Sequence, residues 1–294
     1  MARSSPFVLT LIAGRAAAPL DPRLVAQVRE ALRADAAQWL SEGEAVDLPL
    51  AAMPARERVA AALGGAAVDA IAQPQAGRRK RLLLADMDST IVTTETLDEL
   101  AAHAGLKEEI AAITRRSMNG ELDFREALRA RVAMLKGLEV AALEATWART
   151  EYVEGARELI ATMRAHGATT ALVSGGFTFF TGRVAAELGF HHHRSNVLLH
   201  ADGRLTGEVA EPILDRDAKL ASLREFAAGL GIGLDATAAV GDGANDLAML
   251  RAAGLGVAFR AKPVVAAEAR AELRHAGLRG VLFAQGYRAE DIAG

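Results

Sequence analysis

Three short apolar runs, each followed directly by a cluster of polar residues, constrain the fold of this sequence more than any other feature. The first run is followed by Asp86-Met87-Asp88-Ser89-Thr90, the second by Ser174-Gly175-Gly176, and the third by Gly241 to Asp246. Continuous apolar runs are typical of strands that are buried on both faces of a parallel sheet. Because ligands bind beyond the carboxyl ends of such strands, we expect the three polar clusters to meet in one binding site.

Helix-like segments alternate with these runs and define the predicted fold class. The runs are predicted as strands over residues 82–85, 168–173 and 237–240. Segments 156–166 and 220–230 have the helical spacing of apolar residues and precede the second and third runs. Strands that alternate with helices imply a parallel sheet with helices on both faces. The predicted fold class is therefore α/β.

The stretch from Glu95 to Thr150 interrupts this alternation. It is charged, has helical patterning and carries few strand signals, which predicts a helical cap inserted over about residues 95–150. A second exception is Ser195 to Val209, where Asp202-Gly203 stands between apolar runs and predicts a β-hairpin flap. The run His191-His192-His193 could suggest a metal site, but we predict a solvated connection ahead of the hairpin.

The N-terminal residues are interpreted as a separate small α+β unit. The apolar run over residues 7–13 resembles a weak signal peptide. A short buried strand is the preferred interpretation, because the run is short and Arg15 lies between it and the alanines that follow. The rest of the unit is predicted as a helix that starts at Asp21-Pro22, strands over 46–50 and 68–71, and a helix over 55–63.

A polar stretch from Gln75 to Lys80 divides the chain. It contains Gly77 and runs into Arg78-Arg79-Lys80-Arg81. Such a basic run could bind nucleic acid, but a solvated linker beside a strand is the preferred interpretation. The predicted domains are a small unit over residues 1–76 and a larger one over residues 77–294.

Composition narrows the chemistry of the polar clusters. The 294 residues include no cysteine, which excludes disulfides, thiolate metal sites and thiol nucleophiles and fits a cytoplasmic location. The net charge of −3, from 34 basic and 37 acidic residues, argues against a polyanion-binding surface. No stretch approaches the ~20 apolar residues of a membrane span, so neither nucleic acid nor membrane is an expected partner. Carboxylates without thiolates favour a hard cation, and Mg²⁺ beside phosphate is the usual case.

The order and spacing of the clusters resemble the haloacid dehalogenase superfamily of phosphotransferases. The resemblance covers Leu82 to about Phe283. It implies a Rossmann-like parallel-sheet core with an inserted helical cap. The residues that match the family's four motifs, in order, are Asp86 to Thr90, Ser174, Lys219, and Asp242 with Asp246.

The resemblance also implies a role for each residue. Asp86 is the expected nucleophile and forms an aspartyl-phosphate, and Asp88 is the expected general acid and base. Mg²⁺ is expected on Asp86, Asp242 and the backbone carbonyl of Asp88. The groups expected to bind or position the phosphate are Ser174, the Gly175 amide, Lys219 and Asn245, with Asp246 supporting the metal.

Within that family, the cap closely resembles that of enzymes that hydrolyse O-phospho-L-serine in the last step of L-serine biosynthesis. The resemblance lies in Glu95 to Leu100 and in Met118 to Val132. It implies that Glu95 binds the substrate ammonium and Arg131 its carboxylate, while Met118 and Phe124 close over the site. Arginine suits a carboxylate because its planar fork can bind both oxygens.

The N-terminal unit resembles an ACT-like domain in its pattern and in its position ahead of an amino-acid enzyme. Such domains often bind amino acids at a dimer interface, which implies regulation or homodimerisation; a scaffold without a ligand is the alternative. For the whole chain, the alternatives are a phosphatase or phosphotransferase for another small phosphorylated metabolite, and an amino-acid sensor with secondary phosphatase activity. The intact set of Asp86, Asp88, Lys219 and Asp242 argues against the sensor.

Overall fold

The computed structural model describes residues 5–293, and its first unit has the element order βαββαβ. The elements are β1 (Phe7–Ala13), α1 (Pro22–Leu32), β2 (Gln38–Ser41), β3 (Ala45–Leu50), α2 (Arg56–Leu63) and β4 (Val68–Pro74). The strands form an antiparallel sheet in the order β2-β3-β1-β4, which is a ferredoxin-like arrangement. The helices and strands predicted for this unit are confirmed, and β2 is an addition.

Helix α1 begins where the sequence predicts. Asp21 is the N-cap, and its carboxylate accepts a hydrogen bond of 2.8 Å from the backbone N–H of Arg23. Pro22 is tolerated at the first helical position because an N–H there would lack a partner within the helix. Val25 and Val28 form the buried face of α1 and pack against the sheet.

The larger unit follows from residue 82, and no helix within residues 5–293 is long and apolar enough to cross a membrane. Its first part contains β5 (Leu82–Ala85), α3 (Thr96–Ala102), α4 (Lys107–Met118), α5 (Phe124–Ala133), α6 (Ala141–Trp147) and α7 (Ala156–Ala165). It continues with β6 (Thr169–Phe177), α8 (Thr178–Leu188), β7 (His192–Asn196), β8 (Leu198–Ala201), β9 (Arg204–Val209) and α9 (Arg216–Gly229). The last elements are β10 (Thr237–Gly241), α10 (Leu247–Ala252), β11 (Leu255–Phe259), α11 (Pro263–Glu268), β12 (Ala271–Leu273) and α12 (Arg279–Ala284).

The core of the larger unit is a six-stranded parallel sheet in the order β12-β11-β10-β5-β6-β7. Its centre is buried on both faces. Leu83 and Ala85 of β5 belong to the apolar core on one face, whereas Leu82 and Leu84 belong to the core on the other. Helices α7 and α12 supply side chains to the first core, and α9 and α10 to the second. The predicted α/β class and the doubly buried first strand are confirmed.

Strand β6 extends beyond its predicted end. The strand continues to Phe177, which pairs with Asn196 after a shift of register. The prediction that Ser174-Gly175-Gly176 follows the strand is therefore wrong, because this cluster lies within an irregular extension of β6. The side-chain amide of Asn196 holds the extension by donating a hydrogen bond of 2.9 Å to the carbonyl of Gly175.

Helices α3 to α6 form the predicted cap. It joins the core through a short antiparallel pairing, which we call the neck, between residues 91–93 and residues 151–153. The neck contains two backbone hydrogen bonds of 2.9 and 3.0 Å and an isolated bridge between Val92 and Tyr152. The chain therefore enters and leaves the cap at one place.

The predicted hairpin is confirmed as β8 and β9. Asp202 and Gly203 form its two-residue turn with positive φ angles of 49° and 73°, as a type I′ turn requires. The hairpin packs on the cap through two backbone hydrogen bonds of Leu205. Its N–H donates one of 2.8 Å to the carbonyl of Leu138, and the carbonyl of Leu205 accepts one of 2.9 Å from the N–H of Gly137. The cap and the hairpin are thus joined by main-chain hydrogen bonds.

The histidine run is exposed as predicted, but it is the start of an edge strand of the large sheet and not a connection. Strand β7 begins at His192 and pairs with β6, with His192 opposite Ala171. Nδ1 of His191 accepts a hydrogen bond of 3.1 Å from the backbone N–H of Thr170. An edge strand needs backbone pairing on one side only and tolerates charged and polar side chains, so the polar sequence concealed it.

The basic run that starts at Arg78 is partly packed. The prediction of a solvated linker is wrong for Arg78 and Lys80, whereas Arg79 and Arg81 are exposed. Nη2 of Arg78 lies 2.6 Å from Oδ2 of Asp47. Lys80 is 8% exposed. Its Nζ donates a hydrogen bond of 2.9 Å to the carbonyl of Gly77 and one of 2.8 Å to the carbonyl of Asp235. Because Asp47 lies in the first unit and Asp235 in the second, the run ties the two units together.

A buried carboxylate also holds the first unit against the second. Asp69 of β4 is 5% exposed and accepts hydrogen bonds of 2.8 to 3.2 Å from the backbone N–H groups of Arg274, His275 and Ala276. Ile71 of the same strand belongs to the apolar cluster that fills one face of the large sheet. The two units therefore pack as one body.

Candidate active site

Three carboxylates meet beyond the ends of β5 and β10. Asp86 follows β5, Asp242 follows β10, and Asp246 ends the 3₁₀ turn Ala244–Asp246. All three residues are at most 2% exposed, and each offers a carboxylate oxygen within 4.8 Å of the others. The predicted convergence is confirmed, because β5 and β10 are adjacent parallel strands whose carboxyl ends share one edge.

Lys219 of α9 lies between two of these carboxylates. Its Nζ is 2.8 Å from Oδ1 of Asp86 and 2.6 Å from Oδ1 of Asp246. Burial alone lowers the pKa of a lysine, but the charges of Asp246 and Asp86 outweigh burial and raise the pKa of Lys219. The ammonium therefore stays charged throughout the neutral range.

The single positive charge of Lys219 does not neutralise all the carboxylates of the cluster. Burial, followed by the charges of Glu95 and Asp86, raises the pKa of Asp242 to about 7. Burial and Asp86 raise the pKa of Asp246 to about 7, although Lys219 opposes the shift. Such pKa values indicate a site that gains by binding a cation.

The carboxylate oxygens also indicate which residues fit a metal ion. Both oxygens of Asp246 are occupied, by Nζ of Lys219 at 2.6 Å and by the backbone N–H of Gly243 at 3.0 Å. Oδ2 of Asp242 is buried and accepts no hydrogen bond from residues 5–293; it lies 3.3 Å from Nζ of Lys262. Oxygen ligands suit a hard divalent cation, so Asp86 and Asp242 fit as ligands and Asp246 as their support.

Asp88 lies two residues after Asp86 and faces the same cavity. Its Oδ1 accepts a hydrogen bond of 2.8 Å from the backbone N–H of Thr96, and its Oδ2 accepts one of 3.4 Å from Oγ of Ser174. Burial raises the pKa of Asp88 to about 7, the hydrogen bond from Thr96 opposes this, and the charge of Asp86 adds to it. A carboxyl group with a pKa near neutrality can both donate and accept a proton in one reaction cycle.

The cavity extends from these acids to the cap. Its polar floor contains Ser174, which is 1% exposed, and Asn245, whose buried Oδ1 accepts no hydrogen bond from the described part of the chain. The residues that line the cavity are Asp86, Asp88, Glu95, Leu97, Thr114, Ser117, Phe124, Leu128, Arg131, Ser174, Gly175, Gly176, Phe177 and Asn245.

Phe124, the first residue of α5, packs its ring directly on Gly175. A Cβ atom placed on Gly175 would lie 2.6 Å from Cζ of Phe124, so this approach requires glycine. Phe124 thus lines the cavity from the cap side. Met118 ends α4, but its side chain lies outside the described part of the structure.

A carboxyl group and a guanidinium group from the cap face the cavity. Glu95 is the N-cap of α3, and its Oε1 accepts a hydrogen bond of 2.6 Å from Oγ of Ser89. Burial, followed by the charge of Asp88, raises the pKa of Glu95 to about 8. Arg131 of α5 is 6% exposed and lines the same cavity as Glu95. The site therefore holds a carboxyl group and a guanidinium cation at its cap end in addition to the acids at the sheet.

Sequence reasoning missed two polar residues of the cavity wall. Thr114 and Ser117 of α4 line the cavity, and Oγ1 of Thr114 accepts a hydrogen bond of 3.0 Å from Nη1 of Arg131. Their spacing relative to Met118 is a signal that could have found them. Residues 114, 117 and 118 fall on one helix face, because positions three and four apart are neighbours on a helix.

Comparisons with known proteins agree with this architecture. The model of the haloacid dehalogenase-like hydrolase family matches residues 83–251. A phosphoserine phosphatase of Streptomyces coelicolor is 45% identical over 215 residues, which make up 73% of this chain and 52% of that protein. The chain therefore spans about half the length of this relative.

Solved structures extend the comparison. A phosphoserine phosphatase described as a phospho-aspartyl intermediate analogue is 41% identical, with a TM-score of 0.67, and the match covers 70% of this chain and 98% of that one. An unliganded probable phosphoserine phosphatase from Vibrio cholerae is 31% identical with a TM-score of 0.78, and the match covers 98% of this chain and 88% of that one.

The region matched by the family model contains the parts of the chain that build the cavity. It includes most of β5, the whole cap, and the chain from β6 through β10 with the carboxylate cluster. The match covers more than half of the chain. The chain therefore belongs to the haloacid dehalogenase-like hydrolase family.

Proposed function

We propose that this chain is a Mg²⁺-dependent phosphatase that hydrolyses O-phospho-L-serine to L-serine and phosphate. The observation that carries the proposal is one cavity that joins Asp86 and Asp88 to Glu95 and Arg131. The first pair suits phosphoryl transfer, and the second pair offers one anion and one cation to a zwitterionic amino acid. The identity of 41% to 45% with phosphoserine phosphatases supports the same substrate.

The first chemical step transfers the phosphoryl group to the enzyme. A carboxylate oxygen of Asp86 attacks phosphorus, and the bond between phosphorus and the serine oxygen breaks. The carboxyl group of Asp88 gives its proton to that oxygen, so L-serine leaves as a neutral alcohol. Asp86 then carries the phosphoryl group, and Asp88 is ionised.

The second step regenerates the enzyme. A water molecule attacks the phosphorus of the aspartyl-phosphate, and Asp88 accepts the proton that the water loses. The bond between phosphorus and the Asp86 oxygen breaks and releases phosphate. The cycle needs Asp88 protonated in one step and ionised in the next, which its pKa of about 7 supports.

Positive charge and hydrogen-bond donors would stabilise the transferring phosphoryl group. Lys219, Oγ of Ser174, the N–H of Gly175 and the amide of Asn245 would bind its oxygens, where negative charge spreads in the transition state. Asp86, Asp242 and the backbone carbonyl of Asp88 would hold Mg²⁺. When bound, Mg²⁺ supplies positive charge to a phosphoryl oxygen and removes the repulsion among the acids.

The cap would select the amino acid. Glu95 would bind the substrate ammonium, which offsets the burial of its carboxylate, and Arg131 would bind the carboxylate through its planar fork. The ring of Phe124 would close the cavity and exclude water, together with Met118, which precedes it in the cap. This arrangement favours phosphoserine over phosphomonoesters that lack one of the two charges.

We also infer a regulatory or dimerisation role for the ACT-like unit at residues 1–76. The ferredoxin-like topology and the tight packing of this unit on the larger one support the inference. Calorimetric titration with L-serine and sedimentation of the full chain test it. If the chain is a monomer and binds no L-serine, the inference is wrong and the unit is a scaffold.

Phosphate release from a panel of phosphomonoesters with Mg²⁺ tests the proposed function. We expect O-phospho-L-serine to be the best substrate, Asp86→Asn to show no turnover, and Arg131→Ala to lose activity selectively toward amino-acid substrates. Arg129→Ala is the matched control, because Arg129 lies on the same helix but pairs with Glu211, with Nη2 2.6 Å from Oε1.

Each arm of this experiment can fail separately. A flat substrate profile, or Arg131→Ala that behaves like Arg129→Ala, would contradict the substrate assignment. Turnover by Asp86→Asn would contradict the covalent mechanism. Full activity after treatment with a chelator would contradict the requirement for a divalent cation.

A further inference from the structure

A chain of buried hydrogen bonds crosses the cap beside Arg131. Nη1 of Arg131 donates 3.0 Å to Oγ1 of Thr114, and Oγ1 of Thr114 lies 2.6 Å from Oδ1 of Asp98. The exposed fractions of Arg131, Thr114 and Asp98 are 6%, 3% and 8%. Because the three residues belong to α5, α4 and α3, the hydrogen bonds connect three helices of the cap.

The direction of these hydrogen bonds follows from the single proton of a hydroxyl group. Oγ1 of Thr114 has two acceptors in reach, the carboxylate of Asp98 at 2.6 Å and the carbonyl of Ile110 at 3.0 Å. The shorter, charge-assisted contact with Asp98 is the stronger one. The hydroxyl proton therefore points to Asp98, and a lone pair faces Arg131.

This arrangement fixes the plane of the guanidinium group. Nε of Arg131 donates 3.1 Å to the carbonyl of Ala127, and Nη1 donates to Thr114. Two bonds on different nitrogens restrict rotation of the planar fork, and three of its five N–H groups remain. Because Arg131 lines the cavity, these groups are oriented before a ligand enters, which reduces the entropy lost on binding.

We propose that Thr114, held by Asp98, positions the guanidinium group of Arg131 for the substrate carboxylate. The proposal rests on the proposed function, since it requires a substrate that carries a carboxylate. Thr114 is a positioning residue in this scheme, because it acts through Arg131 and takes no part in phosphoryl transfer. Its removal therefore affects recognition of the carboxylate and leaves the chemical step unchanged.

The experiment compares two substrates that differ in the carboxylate. O-phospho-L-serine has it, whereas O-phosphoethanolamine keeps the phosphate and the ammonium but lacks it. For Thr114→Val, which removes the hydroxyl at nearly constant shape, we expect KM for O-phospho-L-serine to rise about tenfold, since a hydrogen bond to a charged group is lost. We expect kcat for O-phospho-L-serine and kcat/KM for O-phosphoethanolamine to stay unchanged. We expect Thr114→Ser to restore recognition of the carboxylate.

Thr146→Val is the matched control. Thr146 lies in α6 of the same cap, is also 3% exposed, and donates from Oγ1 to the carbonyl of Ala142 in its own helix at 2.9 Å. The substitution removes a buried hydroxyl that has no bond to Arg131. We expect the ratio of kcat/KM between the two substrates to stay at the parent value.

The outcomes separate this inference from the proposed function. A selective loss in Arg131→Ala without one in Thr114→Val refutes the positioning role alone. The absence of a selective loss in Arg131→Ala refutes the substrate orientation, and the positioning role with it. Equal losses for both substrates in folded Thr114→Val mark a structural role and overturn the inference. Asp98→Asn, which weakens the same chain at constant shape, replaces Thr114→Val if that variant does not fold.

Discussion

The contact between Phe124 and Gly175 is possible only because residue 175 has no Cβ atom, so closure of the cap depends on this glycine. Gly175 lies in the irregular extension of β6, where its N–H also belongs to the proposed phosphate site. A side chain at this position would occupy the space of the Phe124 ring. Recognition of the phosphate and closure of the cap therefore meet at one residue.

Gly175→Ala should consequently impair catalysis more than a single methyl group usually does. We expect kcat/KM to fall about 100-fold, because displacement of the cap by about 1 Å disturbs the alignment of the reacting groups. Steady-state kinetics measure the loss, and the double variant with Phe124→Ala should recover part of it.

Gly182→Ala is the control for Gly175→Ala. A Cβ atom on Gly182 would lie 3.6 Å from the nearest side-chain atom, in His193, which is an ordinary van der Waals contact. We expect parent-like kinetics. Equal losses in the two alanine variants would contradict the steric explanation.

Among single residues, those that follow strands were the most predictable from the sequence. Asp86 and Asp242 each follow an apolar run, so the parallel sheet alone brings them together. The contact between Thr114 and Asp98 gave no such signal, because they are 16 residues apart and meet only through the packing of α3 on α4. Side chains that depend on helix packing have no fixed spacing in the sequence.

At the scale of elements, an ion pair joins the cap to the helix that carries Lys219. Nη2 of Arg125 in α5 lies 2.7 Å from Oδ2 of Asp215. Asp215 is also the N-cap of α9 and accepts a hydrogen bond of 3.0 Å from the backbone N–H of Asp217. The pair therefore bridges the cap and the core.

Arg125→Ala should shift the cap toward opening. We expect faster hydrogen exchange in α5 and a KM that rises by less than about fivefold, because exposed ion pairs contribute little. Burial raises the pKa of Asp215, but hydrogen bonds from Arg125 and the backbone outweigh burial and lower the pKa below its ordinary value. The difference in exchange between parent and variant should persist from neutral pH to about 4 and decline below it.

Arg129→Ala serves again as the control, since Arg129 pairs with Glu211 at the base of the hairpin and not with α9. Exchange in α5 should match the parent more closely in this variant. If both substitutions speed exchange equally, the pair between Arg125 and Asp215 does not hold the cap.

Three of the four strands that the sequence concealed are edge strands. Strands β2, β7 and β12 lie at sheet edges, where one side of the backbone is unpaired and apolar side chains are not required. β7 starts within a histidine run and β12 has only three residues. Strands β5, β6 and β10 were predictable because burial on both faces demands continuous apolar sequence, whereas the equally buried β11 was not predicted.

For the molecule as a whole, the boundary between the two units is a packed interface. The prediction that the division lies near Gly77 comes from the change of composition there. It could not predict the docking, since that depends on pairs such as Asp69 with the backbone at residues 274–276 and Arg78 with Asp47. These partners lie far apart in the chain.

Asp69→Ala should therefore destabilise the whole protein. We expect the free energy of unfolding to fall by about 2–4 kcal/mol, because three backbone N–H groups lose a charged acceptor in a buried place. Urea denaturation measures the change, and kcat of the folded protein should stay near the parent value, since Asp69 lies outside the cavity.

Asp21→Ala is the comparison for that measurement. It removes an exposed N-cap within the first unit only, and such a change costs about 1 kcal/mol. A loss in Asp69→Ala no greater than that in Asp21→Ala would show that the interface contributes little to stability.

The neck has a consequence for how this architecture can change over generations. Because residues 91–93 and 151–153 are neighbours in space, the segment between them can grow, shrink or be replaced without moving the strand ends on either side. Under the proposed function, changes of substrate could thus be confined to the cap, while the acids at the sheet keep their positions.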